Sequence, residues 1–175
     1  MRGLLVRVGI DTSEKSGGWN APVEMRNRRF VFVPIKDQAY NTSGKYIDGG
    51  RRVYGEVIFE LARFAQECGQ ADSKCFQLPK RLDGNVAMHL DPDFKCLTYG
   101  DDLPRGRKLI PNGDRPGLEK DDFLAFYSSF RSIAWPDKPR SLVYALIGLF
   151  VLERPPYEPT CSMPHDERLQ NAHTR

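Results

Sequence analysis

His89, Asp91, Tyr99, Asp101 and Arg105 fall in close succession within residues 86 to 108 (VAMHLDPDFKCLTYGDDLPRGRK), the stretch richest in groups that can do chemistry. An imidazole next to a carboxylate can move a proton or bind a metal ion. Val86, Met88 and Leu90 alternate with Ala87, His89 and Asp91, which predicts a strand that buries the first set and sends His89 and Asp91 to one shared face. Asp91-Pro92-Asp93 breaks that strand, because proline has no N–H to continue a ladder and pushes the residue before it out of helical geometry. Tyr99-Gly100-Asp101 is turn chemistry, and Arg105-Gly106-Arg107-Lys108 brings cations close to Asp91, Asp93 and Asp101, in a loop that could hold a phosphate. There is a plainer alternative, which these residues alone favour. Asp91 and Asp101 cap local turns, His89 makes one satisfied hydrogen bond, and the cations are a solvated face.

The elements that must position this stretch follow from apolar patterning. Residues 4 to 10 (LLVRVGI) predict a buried first strand ending at Asp11, which would bring that carboxylate to a cleft near His89 and Asp91 at the end of a central strand. The loop after it carries Ser16, Gly17 and Gly18 and then Trp19 and Asn20, candidates for ligand contact. It has neither a G-x-G-x-x-G fingerprint nor a Walker lysine, which excludes the standard dinucleotide and nucleoside-triphosphate sites. Residues 30 to 35 predict a second strand with Pro34 at a sheet edge. Val57, Ile58, Leu61, Ala65 and Cys68 recur at helical spacing before Gly69, predicting an amphipathic helix over residues 54 to 68. Residues 123 to 129 predict a strand with Phe126 on one side and Tyr127 on the other, paired with the apolar run 142 to 153, expected to be central and buried on both faces. The pattern is that of an α+β domain: a mixed β-sheet with a few helices.

Composition limits what the domain can be. At 175 residues, with 40% hydrophobic and 11% aromatic content, one domain with a real core is expected. Twenty-six Lys and Arg against 23 Asp and Glu give +3, which permits a nucleic-acid partner without demanding one. Cys68, Cys75, Cys96 and Cys161 form no C-x-x-C pair and have no histidines at zinc-finger spacing, so a reducing, cytoplasmic setting is expected and the metal is left open. The longest apolar run, residues 142 to 152, is well short of the ~20 residues a membrane helix needs, so no membrane partner is expected. Pro164 suits the first turn of a helix that reaches the last residue without a capping glycine. This reads as a domain truncated at its C-terminus, and it predicts some uncovered apolar sheet surface, with His173 and Arg175 completing the site only in a longer chain.

Residues 5 to 23 (LVRVGIDTSEKSGGWNAPV), 89 to 101 (HLDPDFKCLTYGD), 122 to 129 (DFLAFYSS) and 144 to 153 (YALIGLFVLE) together resemble the nucleotide modification associated domain family, third type. The resemblance spans nearly the whole chain. It implies an α+β fold in bacteria or phages, a nucleotide or DNA as partner, and the company of other DNA-modification proteins. The segment between Asp101 and Leu118 is longer and richer in proline than the resemblance implies, which bears on Arg105. An acidic turn, a Phe-Tyr-Ser strand and an Ala-Leu-Ile-Gly strand are also similar to small barrels of the pseudouridine-synthase-associated type, which implies a barrel-like part. Two functions stay open. In the first, an enzyme acts on a nucleotide or base with His89, Asp91, Asp11 and Asp101 as catalytic groups and with Trp19, Asn20, Tyr99, Arg105 and Tyr127 holding the substrate. In the second, a non-catalytic module recognises a modified base or nucleotide through its aromatic residues.

Overall fold

The computed structural model describes residues 1–10, 18–36, 52–70, 74–100, 109–111, 113–133 and 142–157. Its strands are β1 (Gly3–Arg7), β2 (Ala21–Glu24), β3 (Arg29–Phe30), β4 (Phe123–Ser132) and β5 (Leu142–Val151), with one α-helix among the described residues, α1 (Tyr54–Glu67). The fold is α+β on a mixed sheet, open rather than closed into a barrel.

β4 is the spine. β5 pairs antiparallel with it from Phe123↔Val151 to Arg131↔Leu142, which occupies one edge over almost its full length. β1 and β2 therefore share the other edge end to end. β1 runs parallel to Phe123–Tyr127 and β2 parallel to Phe130–Ser132. Between them the Val8 N–H still reaches the Tyr127 carbonyl at 2.9 Å, and the Ile10 N–H then crosses to Val33. At one corner Asp122 ties the chain together: its carboxylate accepts the Arg2 N–H (2.5 Å), the Arg2 Nε (3.1 Å) and the Glu119 N–H (2.9 Å). Those bonds and the Arg2 charge hold the Asp122 carboxyl below the usual carboxylate range despite its burial.

Several expectations are corrected by this topology. β1 is half-buried rather than buried, with Val6 inside and Leu5 61% exposed, and it ends at Arg7. β2 was unforeseen because Pro22 argues against a strand; it is tolerated since pairing with β3 starts only at Val23. The strand expected over residues 30 to 35 is reduced to β3, and residues 31 to 35 join no ladder, although the Val33 and Ile35 carbonyls each accept a backbone bond. β5 is not central: it pairs with β4 alone among the described strands, and Leu142, Tyr144, Leu146, Leu149 and Val151 are exposed. Its uniformly apolar sequence hides an alternation whose outer half meets solvent.

α1 forms where expected. Tyr54, Val57, Leu61, Phe64 and Ala65 give it a buried stripe, and Gly69, at φ 65, closes it with the Gln70 N–H on the Ala65 carbonyl and the Gly69 N–H on that of Gln66. Its first turn has no side-chain cap; the Tyr54 and Gly55 N–H groups bond the Val86 and Gly84 carbonyls instead. The helix packs on the face of the sheet that carries Phe130, Val143, Ala145 and Ile147. A second apolar cluster, around Val6, Leu124 and Phe126, lies under the loop of residues 91 to 100. No helix among the described residues is long and apolar enough to cross a membrane.

The ring of Phe94 anchors that loop against Phe32, Phe126 and Phe150 at 5.3, 5.7 and 5.7 Å. The space for it comes from Gly148, placed opposite Phe126 where the β4–β5 register shifts, since a Cβ there would lie 2.3 Å from Phe94 Cε1. Gly148→Ala is expected to destabilise the protein by roughly 1–3 kcal/mol through overpacking. In a denaturant-unfolding cycle, adding Phe94→Leu should recover part of that loss, because the two positions share one space. Strictly additive effects would mean that Gly148 does not serve Phe94.

Candidate functional site

Six of the residues singled out from the sequence, Trp19, Asn20, His89, Asp91, Tyr99 and Tyr127, lie among the described residues. Residues 86 to 91 are not a strand of the sheet. Ala87 and Met88 make isolated bridges to Val53 and Lys36, and the His89 N–H donates to the Ile35 carbonyl at 2.9 Å. The alternation is kept as far as Leu90, with Met88 and Leu90 buried. There the chain turns, with the Asp91 N–H on the His89 carbonyl at 3.0 Å and a cis peptide into Pro92. The backbone of Ile10 and that of His89 thus both bond the short segment 33 to 35. Asp11, Asp101 and Arg105 themselves lie outside the described residues, as do Arg107, His173 and Arg175.

Beyond the turn the carboxylates organise backbone. Asp91 Oδ1 accepts the Gly100 N–H at 2.9 Å, and Asp93 Oδ1 accepts those of Lys95 (2.9 Å) and Cys96 (3.0 Å). The Asp93 and Thr98 backbones exchange both of their bonds, which closes the loop. Tyr99 tilts on Phe126 at 5.3 Å, on the packed face, whereas Tyr127 lies on the opposite face of β4 beside Tyr144 at 6.4 Å. Trp19 packs against the core beneath α1, and Asn20 is fully buried, its amide donating to the Ser129 carbonyl (3.1 Å) and hydroxyl (2.8 Å). Among the described residues no group of His, Cys, Asp and Glu is placed to hold a metal ion. Burial pushes the Cys68 thiol, at the end of α1, up and so disfavours its thiolate.

A different site emerges between β3 and α1, and the sequence reading passed over it. Arg28, Arg29, Phe30, Val31 and Phe32 from one side and Glu60, Arg63, Phe64 and Glu67 from the other line a cleft of about 370 Å³. The signal was present as Arg26, Arg28 and Arg29 preceding Phe30, but cations beside a short strand look like solvated surface until the helix opposite is placed. Arg29 lies over the Phe64 ring at 5.3 Å and pairs with Glu67, which also faces Arg63 at 3.8 Å. Such exposed pairs are worth about 0–1 kcal/mol, so an incoming anion can recruit these guanidiniums at little cost. Arginine forks suit phosphate, and the partly exposed Phe30 of the lining offers a ring on which a base can stack.

Glu24 sets the geometry of the arginine side. Its carboxylate accepts the Arg26 N–H at 2.7 Å and the Asn27 N–H at 2.8 Å, folding the turn that ends at Arg28, itself at φ 54. Burial pushes the Glu24 carboxyl up, but the backbone bonds from Asn27 and Arg26 outweigh it and hold it below its ordinary value of 4.5. A depressed carboxyl contributes stability above its unfolded-state value and loses it as pH falls through the lower folded value. Thermal melts taken from neutral to acidic pH should therefore show a drop in Tm on entering the carboxylate range that is smaller in Glu24→Gln, whose Tm at neutral pH is already lower. Parallel Tm curves for the two proteins would remove Glu24 from this role.

A family profile described as nucleotide modification associated domain 3 matches residues 2–175. No curated protein and no solved structure matches the chain. With its mixed sheet, single described helix and profile match from end to end, the chain belongs to the nucleotide modification associated domain 3 family.

Proposed function

We propose that the protein binds a nucleotide, free or as a unit of DNA, in the cleft between β3 and α1, within a cytoplasmic DNA-modification setting that includes other modification proteins. The observation that carries this is the meeting of Arg28, Arg29 and Arg63 with Phe30 and Phe64 around about 370 Å³, a volume within the range of small-ligand sites. Guanidiniums take the phosphate, and the base lies against the partly exposed Phe30 ring. Glu60 and Glu67 offer acceptors to sugar hydroxyls or to the amino group of a base.

The enzymatic reading adds His89 and Asp91 as base or ligands, with Asp11 and Asp101 as further carboxylates and Arg105 on phosphate. It is favoured by one observation: Ile10 and His89 bond the segment 33 to 35, which is continuous with the cleft residues Arg28 to Phe32. A substrate held by the arginines would then point along that segment toward His89. Trp19, Asn20 and Tyr99 act in this reading as supports of the site, whereas Tyr127 faces away from it across β4.

Calorimetry with deoxynucleoside monophosphates, and anisotropy with a short labelled single strand over a salt series, test both readings. Arg63→Ala and Arg28→Ala should each weaken binding by about tenfold, as expected for one charge-assisted contact, and lower the salt slope by about one. Unchanged affinity and slope in both variants would overturn the cleft. His89→Ala should abolish turnover of a modified or unmodified nucleotide while leaving affinity intact. Turnover that survives it returns the protein to the binding role.

A further inference from the structure

The open face of the sheet, opposite α1, is apolar over three strands. In register across it lie Phe123 and Val151; then Leu5, Ala125 and Leu149; then Arg7, Tyr127 and Leu146; then Tyr144, opposite the buried Ser129; and last Arg131 and Leu142. Leu5 is 61% exposed, Leu142 43%, Tyr144 60%, Leu146 69%, Leu149 60% and Val151 57%. The register shift in β5 keeps these side chains on one side: exposure falls on residues 142, 144 and 146 and resumes at 149 and 151, with Ile147 and Gly148 taking up the phase.

We infer that this face is the contact surface of a symmetric dimer, occupied by the same face of a second copy of the chain. Area is the first argument. At roughly 100 Å² for each exposed side chain, the patch is on the order of 600 Å², at the top of what monomers leave uncovered and near the ~800 Å² that each partner gives to a standard interface. Charge is the second. Arg7, whose guanidinium lies over the Tyr144 ring at 5.8 Å, and Arg131 are the charged residues in these rows, too few to track a polyanion and unmatched to an acidic partner. Shape is the third. Two sheets of identical twist pack face to face at about 10 Å with a small rotation between them, and a two-fold axis lets one patch serve both sides of the interface. This inference is independent of the nucleotide reading, because the cleft lies on the other side of the sheet, against α1.

Sedimentation velocity of the 175-residue chain across a dilution series is the test. The wild type should sediment as a dimer that dissociates on dilution. Leu146→Glu combined with Leu149→Glu should give a monomer with an unchanged far-ultraviolet spectrum, while Leu97→Asn, at an exposed leucine of the loop 91 to 100, should leave the dimer intact. Should the glutamate variant fail to fold, Leu146→Ser with Leu149→Ser gives the same reading more gently. A wild type that stays monomeric at every concentration overturns the inference, whether a loop or nothing covers the face. A dimer that survives the folded double variant overturns it as well, by placing the interface elsewhere.

Discussion

The bond from the Asn20 amide to Ser129 is the interaction on which the arrangement of this sheet depends. β4 offers one edge to two different strands, and between the last residue of β1 and the first of β2 its ladder would otherwise be left open at Ser129. Asn20 stands in for the missing strand there, its amide giving the Ser129 carbonyl a donor at 3.1 Å while also bonding the hydroxyl at 2.8 Å. Asn20 and Ser129 are almost wholly buried, so an unmet carbonyl would cost about 1–3 kcal/mol. The seam carries some cost of its own, since Asn20 Oδ1 and the Ser132 hydroxyl are buried with no hydrogen-bond partner among the described residues. What the seam allows is more important: β1 can leave the sheet at Val8, pass to Val33 through Ile10, and the chain can return as β2 in register with Phe130.

From that seam the two sides of the sheet acquire different tasks. The face beneath α1 is filled by Phe130, Val57, Leu61 and Phe64, and its neighbour by the Phe94, Phe126 and Phe150 rings. Because Gly84 and Val86 carbonyls close the first turn of α1, the helix and the segment carrying His89 are held as one body. The opposite face has no helix among the described residues and keeps its leucines in solvent. A single-layer covering of this kind leaves one apolar face unmet, and two layers per core is the usual solution.

How much of this was legible in the sequence depended on whether an element's partners are local. α1 was legible, because a helix carries its period and its Gly69 stop within itself. β4 with its Phe126 and Tyr127 on opposite sides was legible for the same reason. β5 was legible as a strand but not in its exposure, since an unbroken apolar run reads the same at an edge as at the centre. β2 was hidden by Pro22, and the bridges at Ala87 and Met88 by partners as distant in sequence as Val53 and Lys36. Asp93 illustrates the ambiguity at the candidate site: a carboxylate beside a proline looks like chemistry, and here it serves as the acceptor that folds its own turn.

The cleft was illegible for a further reason, which is that its chemistry comes from charge held in tension rather than from a motif. Arg29 and Arg63 both lean on Glu67, so the site presents excess positive charge only as a set, with Arg28 delivered by a turn that Glu24 folds from the core side. Glu24 is buried and bonded to backbone, whereas Glu67 is about two-fifths exposed and bonded to guanidiniums. The same residue type thus plays a rigid part and an exchangeable one. Only the exchangeable carboxylate can yield its partners to an arriving phosphate, because its loss is compensated by solvent, while displacing Glu24 would unfold the turn that places the arginines.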